Sequence, residues 1–195
     1  MQLQAKQLHN KFKFKCTKCG QCCDKTMIAL YPFDIRIICD HLNISTTQFH
    51  EKYSAFTIDN ENIVRCFLRN RPRCPFKDVN NKCSIYDFRP VRCRLYPIGR
   101  FFQEDQTHYL VANDPSPGFN SNKKQSIAEW LEEQGVTKYD PLTERWNHFL
   151  IKLKNHPQIN EEDFQMKFKE IFYNFVNNDE ELESFMDLLY LKFGI

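Results

Sequence analysis

The chain has 195 residues, a mass of 23.5 kDa and a formal net charge of +2 at pH 7. Hydrophobic residues make up 42% and charged residues 27%, a balance that supports a folded core and excludes an intrinsically disordered or fibrous chain. No apolar run reaches about 18 residues, and residues 1–10 lack the apolar stretch of a secretory signal, so we expect a cytoplasmic protein without a membrane span.

The first patterned segment is a cysteine group that contains Cys16, Cys19, Cys22 and Cys23. Gaps of two residues let a tight loop turn several sulfurs inward, and Gly20 removes the constraint of a Cβ atom between two of them. The spacing of the first three is also that of three ligands in a bacterial ferredoxin cluster. Adjacent side chains usually point apart, which leaves open whether Cys23 serves a second site.

Two short helices and a strand are predicted next. One helical face carries an apolar stripe that includes a cysteine: Ile35, Ile38, Cys39 and Leu42. Ser45 with Gln48 forms the capping box of a second helix, and residues 63–68 read as a strand. We expect Cys39 to pack as a small hydrophobic residue. Cys66 has two open interpretations, a strand residue or a further metal ligand.

The second cysteine group consists of Cys74, Cys83 and Cys93, in a stretch without clean periodicity. We expect this stretch to be irregular and held by metal. Cys74 precedes a proline, as the remote ligand of a ferredoxin cluster does. Three arginines near the last ligand have open roles, namely balancing thiolate charge, shaping the loop, or binding an anionic ligand such as the carboxylate of S-adenosylmethionine: Arg89, Arg92 and Arg94.

The remainder predicts a hairpin followed by a helical bundle. Residues 99–102 and 108–111 flank a polar turn and read as paired strands. Four amphipathic helices follow, with aromatic-rich faces that indicate core packing. Their predicted starts are Ser126 with Glu129, Asp140 with Pro141, Asn160 with Asp163, and Asn178 with Glu181.

All nine cysteines lie between Cys16 and Cys93, which in a reducing compartment favours a metal site over disulfides. Seven of them stand in the two groups, more than one tetrahedral ion needs, so they suit two metals or one cluster with spare thiols. Residues 1–110 carry a net charge of +8 and residues 111–195 carry −6. The basic half would offset anionic metal–thiolate sites, and nucleic-acid binding is disfavoured because no known reader pattern is present.

The constellation resembles the YkgJ-type cysteine-cluster family, the CxxCxxCC zinc- or iron-chelating domain, over residues 12–120. The matching motifs are Cys16-Thr-Lys-Cys19-Gly-Gln-Cys22-Cys23, Cys74-Pro-Phe and the stretch from Cys83 through Arg-Pro-Val-Arg-Cys93 to Pro97. The resemblance implies metal ligands at Cys16, Cys19, Cys22, Cys23, Cys74, Cys83 and Cys93. One branch resembles flagellin lysine N-methylase, a protein-modifying enzyme with an iron–sulfur centre. Many relatives have Cys-x-Gly where this chain has Ser116-Pro-Gly118, so an eighth ligand is absent here or is supplied elsewhere, with Cys66 as the nearest candidate.

We therefore predict a mainly α fold with short antiparallel β elements. A cysteine-rich, metal-stabilised domain at 1–120 is followed by a helical region at 121–195 that packs on it. The predicted cofactor is a [4Fe–4S] cluster, with zinc as the alternative, and S-adenosylmethionine would be a second cofactor if the protein modifies a protein substrate. The alternative function is a non-enzymatic zinc- or iron-binding module whose helices bind a protein partner.

Overall fold

The computed structural model describes residues 2–70, 72–103, 106–113, 116–176 and 180–194. The helices within these ranges are α1 Gln21–Lys25, α2 Pro32–Leu42, α3 Thr46–Tyr53, α4 Val91–Leu95, α5 Ile127–Glu133, α6 Asp140–Leu153, α7 Glu162–Tyr173 and α8 Leu182–Phe193. The strands are β1 Gln2–Lys6, β2 Lys11–Lys13, β3 Ser54–Ile58, β4 Val64–Leu68, β5 Ile98–Gln103, β6 Gln106–Asn113 and β7 Lys124–Ser126. The prediction of a mainly α protein with short antiparallel strands is confirmed.

The strands form three small antiparallel sheets. The largest has the order β1-β6-β5, and β2 pairs with β7 while β3 pairs with β4. The predicted hairpin is confirmed as β5 and β6, which meet at the pair Gln103 and Gln106, and the two turn residues between them lie outside the described ranges. No described helix could cross a membrane, since the longest has 14 residues and about 20 are needed.

The capping signals placed two of the four C-terminal helices correctly. The Ser126 hydroxyl accepts the backbone N–H of Glu129 at 3.2 Å, and the Glu129 carboxylate accepts the N–H of Ser126 at 2.6 Å, so α5 begins at the predicted capping box. Asp140 and Pro141 open α6 as expected, because proline at the first turn needs no hydrogen-bond partner. The Ser45 box likewise opens α3.

The predicted start of the next helix was wrong. α7 begins at Glu162 and its N-cap is Glu161, without a side-chain cap. The Asn160 amide oxygen, which would have capped the helix, instead accepts a hydrogen bond from the Asn62 amide at 2.7 Å. Asn178, the predicted cap of the last helix, lies outside the described residues, and α8 begins at Leu182.

One continuous apolar core contains side chains from both predicted regions. α2 packs against α7 and α8, and Phe33, Ile35 and Ile38 on α2 are fully buried. Cys39 on the same face is also fully buried, which confirms its expected role in the core. The pairing of β2 with β7 adds a second connection across residue 120, and a boundary there stays a prediction.

Candidate metal centre

Seven cysteines line one cavity of about 90 Å³. Cys16 and Cys19 lie on the arm that follows β2, and the single turn of α1 carries Cys22 and Cys23. The remaining three come from the long connection after β4 and from α4: Cys74, Cys83 and Cys93. The structure therefore brings together the whole predicted ligand set, and its carriers include two short helices as well as irregular chain.

Gly20 allows the first cysteine arm to turn tightly into α1. Its φ of 72° is left-handed, and its carbonyl accepts the N–H of Cys23 at 3.2 Å. A Cβ atom at this position would lie 2.5 Å from the carbonyl oxygen of Asn81. The arm and the loop that carries Cys74 and Cys83 can pack this closely only because residue 20 has no side chain.

Polar contacts tie α1 to the second cysteine segment. The Lys77 ammonium lies 2.6 Å from the Asp24 carboxylate, whose other oxygen accepts the backbone N–H of Cys74 at 3.3 Å. The Asn70 amide donates to the carbonyl oxygens of Cys23 at 2.8 Å and Thr26 at 2.7 Å, at the C-terminal end of the helix, where carbonyl groups run out of partners within the helix. These bonds hold two ligand-bearing segments in register.

The thiols interact directly with one another. Cys22 and Cys74 donate hydrogen bonds to the sulfur of Cys23, and these bonds lower the pKa of Cys23 while they raise the pKa of each donor. Burial raises the pKa of Cys93 and of Cys83. A metal binds thiolates and releases these protons, so its affinity for this site will rise with pH.

The cavity lining is cationic. Among the described residues that line it are Lys18, Arg89 and Arg92, and none is Asp or Glu. The Lys18 ammonium lies 4.2 Å from the ring centre of Tyr86, and the Arg89 guanidinium lies 3.8 Å from the same ring. Such a lining favours an anionic occupant, as a four-thiolate zinc or iron–sulfur centre is.

The donor set fits a soft metal. Thiolate sulfur suits zinc and iron–sulfur clusters, and seven such donors face one cavity. Within the described part of the chain, no three side chains of the ligating types approach closely enough to hold a single ion. The seven thiols are therefore best described as the lining of one shared space.

The three arginines near Cys93 make mainly structural contacts. Arg94 does not line the cavity; it donates to the carbonyl oxygens of Arg89 at 3.0 Å, Gln134 at 3.2 Å and Asp87. Arg92 lines the cavity and donates to the carbonyl of Arg100 at 2.9 Å. Arg89 also lines it, and its guanidinium bonds the Gln134 side chain at 2.8 Å. Binding of S-adenosylmethionine by these residues stays a prediction.

Cys66 lies away from the seven-cysteine cavity. It is 1% exposed on β4, and its thiol contacts Ser54 rather than another cysteine. Ser116, by contrast, lines the cavity and accepts a hydrogen bond from the Tyr96 hydroxyl at 3.3 Å. Gly118, two residues later, packs against Phe14 so closely that a Cβ atom would lie 2.3 Å from its ring. The Ser-Pro-Gly segment therefore forms part of the cavity wall.

Asp34 is a supporting residue that the sequence analysis missed. Its carboxylate is 2% exposed and accepts the backbone N–H groups of Tyr31 and of Val91, each at 3.0 Å. The second bond fixes the first turn of α4, which carries Cys93. The sequence did not indicate that Asp34 supports the site, because its partner, the N–H group of Val91, is 57 residues away.

Burial raises the pKa of Asp34 to about 6, although its two backbone bonds lower it. The folded state therefore binds its proton more tightly than the unfolded chain, so stability falls as pH rises from about 4 to about 6. We expect the free energy of unfolding of the reduced, metal-free protein to fall over this range by up to roughly 3 kcal/mol relative to Asp34→Asn. Parallel denaturant titrations of the two proteins would test this, and identical pH profiles would contradict it.

Comparison with known proteins identifies a family for the cysteine-rich part. The family model for CxxCxxCC, described as a Putative zinc- or iron-chelating domain, matches residues 15–115, more than half of the chain. The match includes all seven cysteines of the cavity. No curated protein and no solved structure matches the chain significantly. The chain belongs to the CxxCxxCC family of zinc- or iron-chelating domains, and it is a metal-binding protein.

Proposed function

We propose that this protein binds a [4Fe–4S] cluster through thiolates drawn from the seven cavity cysteines. The main observation in support of this proposal is that these thiols line one shared cavity of about 90 Å³. A cavity needs roughly 10–15 Å³ to hold one water molecule, and a metal ion is no larger than a water molecule. The cavity is therefore larger than a single ion requires. Seven thiols are also more than one tetrahedral ion can bind, which supports a polynuclear centre over a single zinc ion.

The charge of the lining supports the same proposal. Lys18, Arg89 and Arg92 face the cavity without a carboxylate among the described lining residues. A [4Fe–4S]²⁺ core with four thiolates carries about −2. All nine cysteines are free, which agrees with a reducing compartment, and we propose that the protein works in the cytoplasm.

Anaerobic purification followed by metal and sulfide analysis tests this proposal. We expect iron and acid-labile sulfide in similar amounts, with a broad visible absorption band. Zinc has a filled d shell and gives no such band. A colourless protein that contains one or two zinc ions and no sulfide would contradict the cluster and favour a zinc module.

Serine substitutions test which sulfurs are ligands. We expect metal loss on replacement of Cys16, Cys19, Cys22, Cys74, Cys83 or Cys93, because an alcohol oxygen is a poor substitute for a soft thiolate. Replacement of Cys23 tests for a second metal site. If Cys23 binds a second metal, its replacement by serine would lower the metal content and leave the absorption spectrum of the first centre unchanged. Cys39→Ser and Cys66→Ser are matched controls, since both residues are buried away from the cavity. Full metal retention in both Cys16→Ser and Cys19→Ser would refute the assignment.

The non-enzymatic alternative is a module in which the zinc or iron is structural and the helices bind a protein partner. One observation favours it over a lysine N-methylase-like enzyme. Arg94 is 7% exposed, and its guanidinium group donates hydrogen bonds to three main-chain carbonyls. It therefore has no free pair of N–H groups with which to bind the carboxylate of a ligand.

Calorimetry with S-adenosylmethionine separates these two versions. We expect no binding to the metal-replete protein, because all three guanidinium nitrogens of Arg94 already donate to main-chain carbonyls and one nitrogen of Arg92 donates to the Arg100 carbonyl. Saturable binding that is weakened about tenfold or more in Arg92→Gln, with the metal retained, would instead support the enzyme. Unchanged binding in that variant would exclude Arg92 from the site.

A further inference from the structure

The two-stranded sheet of β2 and β7 has one buried face and one exposed face. Along residues 11–15 the chain alternates strictly, with Phe12 and Phe14 buried and the three lysines around them exposed. Both phenylalanine rings pack edge to face on the Trp130 indole, at centre-to-centre distances of 6.3 and 5.3 Å. The inner face therefore anchors this sheet to the core and holds the outer face in a fixed orientation.

The outer face of this sheet is formed mainly by lysines. The arm from β2 contributes one at each outward position and β7 contributes another, and we call these four residues the lysine face: Lys11, Lys13, Lys15 and Lys124. Lys13 is paired directly with Lys124, so both side chains leave the same face of the sheet. Like charges placed directly opposite each other destabilise an antiparallel pair. The folding of so short a sheet is hindered by this pair, which therefore needs another explanation.

The charge of the lysine face is not balanced within the protein. Glu129 interacts electrostatically with Lys11, and Glu133 forms an ion pair with Lys123, which lies beside the face. The other three lysines of the face form no ion pair or ammonium hydrogen bond with any described residue. Five lysines against two carboxylates leave a local charge of +3. An anionic partner would both neutralise this charge and relieve the repulsion across the sheet.

The spacing of the lysines fits an extended acidic polypeptide. Lysines two residues apart on a strand are separated by about 6.6–6.8 Å, and side chains on one face of an extended peptide repeat at the same distance. Proteins that bind single-stranded nucleic acid usually add exposed aromatic side chains on which bases stack. The aromatic side chains of β2 and of the arm after it, Phe12 and Phe14, face inward instead. The face is therefore better suited to a protein segment than to a nucleic acid.

We propose that the lysine face is a docking surface for an acidic protein partner, which binds through an extended segment with Asp or Glu at alternate positions. Lys15 directly precedes Cys16, so a partner bound here lies beside the first arm of the metal centre. The inference does not depend on the identity of the metal, because the pairing of β2 with β7 builds the face.

Two dye-labelled peptides test the charge requirement. One has five Glu-Ser repeats and the other five Gln-Ser repeats, and each is titrated into the metal-replete protein while fluorescence anisotropy is recorded. We expect the Glu peptide to bind at least about tenfold more tightly than the Gln peptide at low salt, with an affinity that falls as salt is raised. No binding of the Glu peptide, or equal affinity for the two peptides, would overturn the proposal.

Two triple variants locate the binding surface, and each removes three positive charges from exposed positions. The first changes the unpaired residues of the lysine face, Lys13→Gln, Lys15→Gln and Lys124→Gln. The matched control changes exposed lysines elsewhere, Lys138→Gln, Lys152→Gln and Lys192→Gln. We expect the first variant to weaken the Glu peptide at least about tenfold and the control less than about twofold. An equal loss in both variants would mean that the peptide responds only to net charge, and would overturn the proposal.

Two further measurements separate docking from other roles of these lysines. Lys13→Gln alone should leave the metal content unchanged and the melting temperature unchanged or higher, because it removes the repulsion from Lys124. A lower melting temperature would show that the lysine is structural and would contradict a docking role. Tighter binding of hexathymidylate, which carries the same five charges as the Glu peptide, or of phosphatidylserine vesicles at the same concentration of charge, would assign the face to nucleic acid or membrane and overturn the proposal.

Discussion

Removal of the metal is expected to lower the melting temperature by about 8–16 °C, while most of the helical circular dichroism remains. A tightly held ligand present at a thousand times its dissociation constant stabilises the folded state by about 4 kcal/mol. For a chain of this size, each kcal/mol shifts the melting temperature by about 2–4 °C. The seven thiols join three separate segments around one cavity, so the loss of their common ligand removes the link between those segments.

The loosening should be local. α2 keeps its contacts with α7 and α8, and its apolar face is fully buried without any metal. We expect new protease cleavage within residues 14–26 and 72–90, and continued protection of the C-terminal helices. Limited proteolysis with mass spectrometry, with and without metal, measures this. The same melting temperature and the same cleavage pattern in both states would mean that the metal has no structural role.

Gly20→Ala is expected to cause loss of more than half of the bound metal and to cost roughly 2–4 kcal/mol of stability. A residue other than glycine at a positive φ costs about 1–2 kcal/mol, and the new methyl group must also displace the Asn81 carbonyl from 2.5 Å. Because the same contact aligns the arm of Cys19 with the loop of Cys83, relief of the clash moves ligands apart. Metal content and denaturant unfolding of the purified variant provide the two measurements.

Gly99→Ala is the matched control. Gly99 lies in β5, and a Cβ atom there would lie 3.6 Å from the Cβ of Leu110, an ordinary contact distance. We expect this variant to retain its metal and to change stability by less than about 1 kcal/mol. Equal behaviour of the two alanine variants would mean that the left-handed turn at residue 20 does not position the ligands.

Local signals explain which parts of the fold were predictable. The capping boxes at Ser45 and Ser126 and the Asp140-Pro141 pair specify helix starts through contacts within three residues, so the sequence alone reveals them. β2 and β7 are three residues each and pair across more than a hundred positions. Strands that short show no alternation, so their pairing was not predictable. Asn160 failed as a cap for a similar reason, because its partner Asn62 is 98 residues away.

The cysteines of the site were predictable as a set, but their supports were not. Spacing and family motif pointed to seven thiols, and all seven line one cavity. Three supporting side chains have partners that are distant in the sequence. Asp34 and Asn70 form hydrogen bonds with the backbone of Val91 and Cys23, and Lys77 forms an ion pair with Asp24. Residue type and spacing carry no information on such partners. The hydrogen bonds of the three arginines were unpredictable for the same reason, because their acceptors are main-chain carbonyls that only the fold brings close.

The position of Trp130 gives the protein an internal optical reporter. Its indole lines the cysteine cavity, lies 5.3 Å from Phe14 at the base of the first ligand arm, and donates to the Leu95 carbonyl at 3.1 Å. The only other tryptophan, Trp146, lies in the helical core against Phe172 and does not line that cavity. A cofactor that absorbs visible light would quench the emission of the first indole more strongly than that of the second. Single-tryptophan variants could therefore follow metal loading and helix unfolding as separate fluorescence signals in one protein.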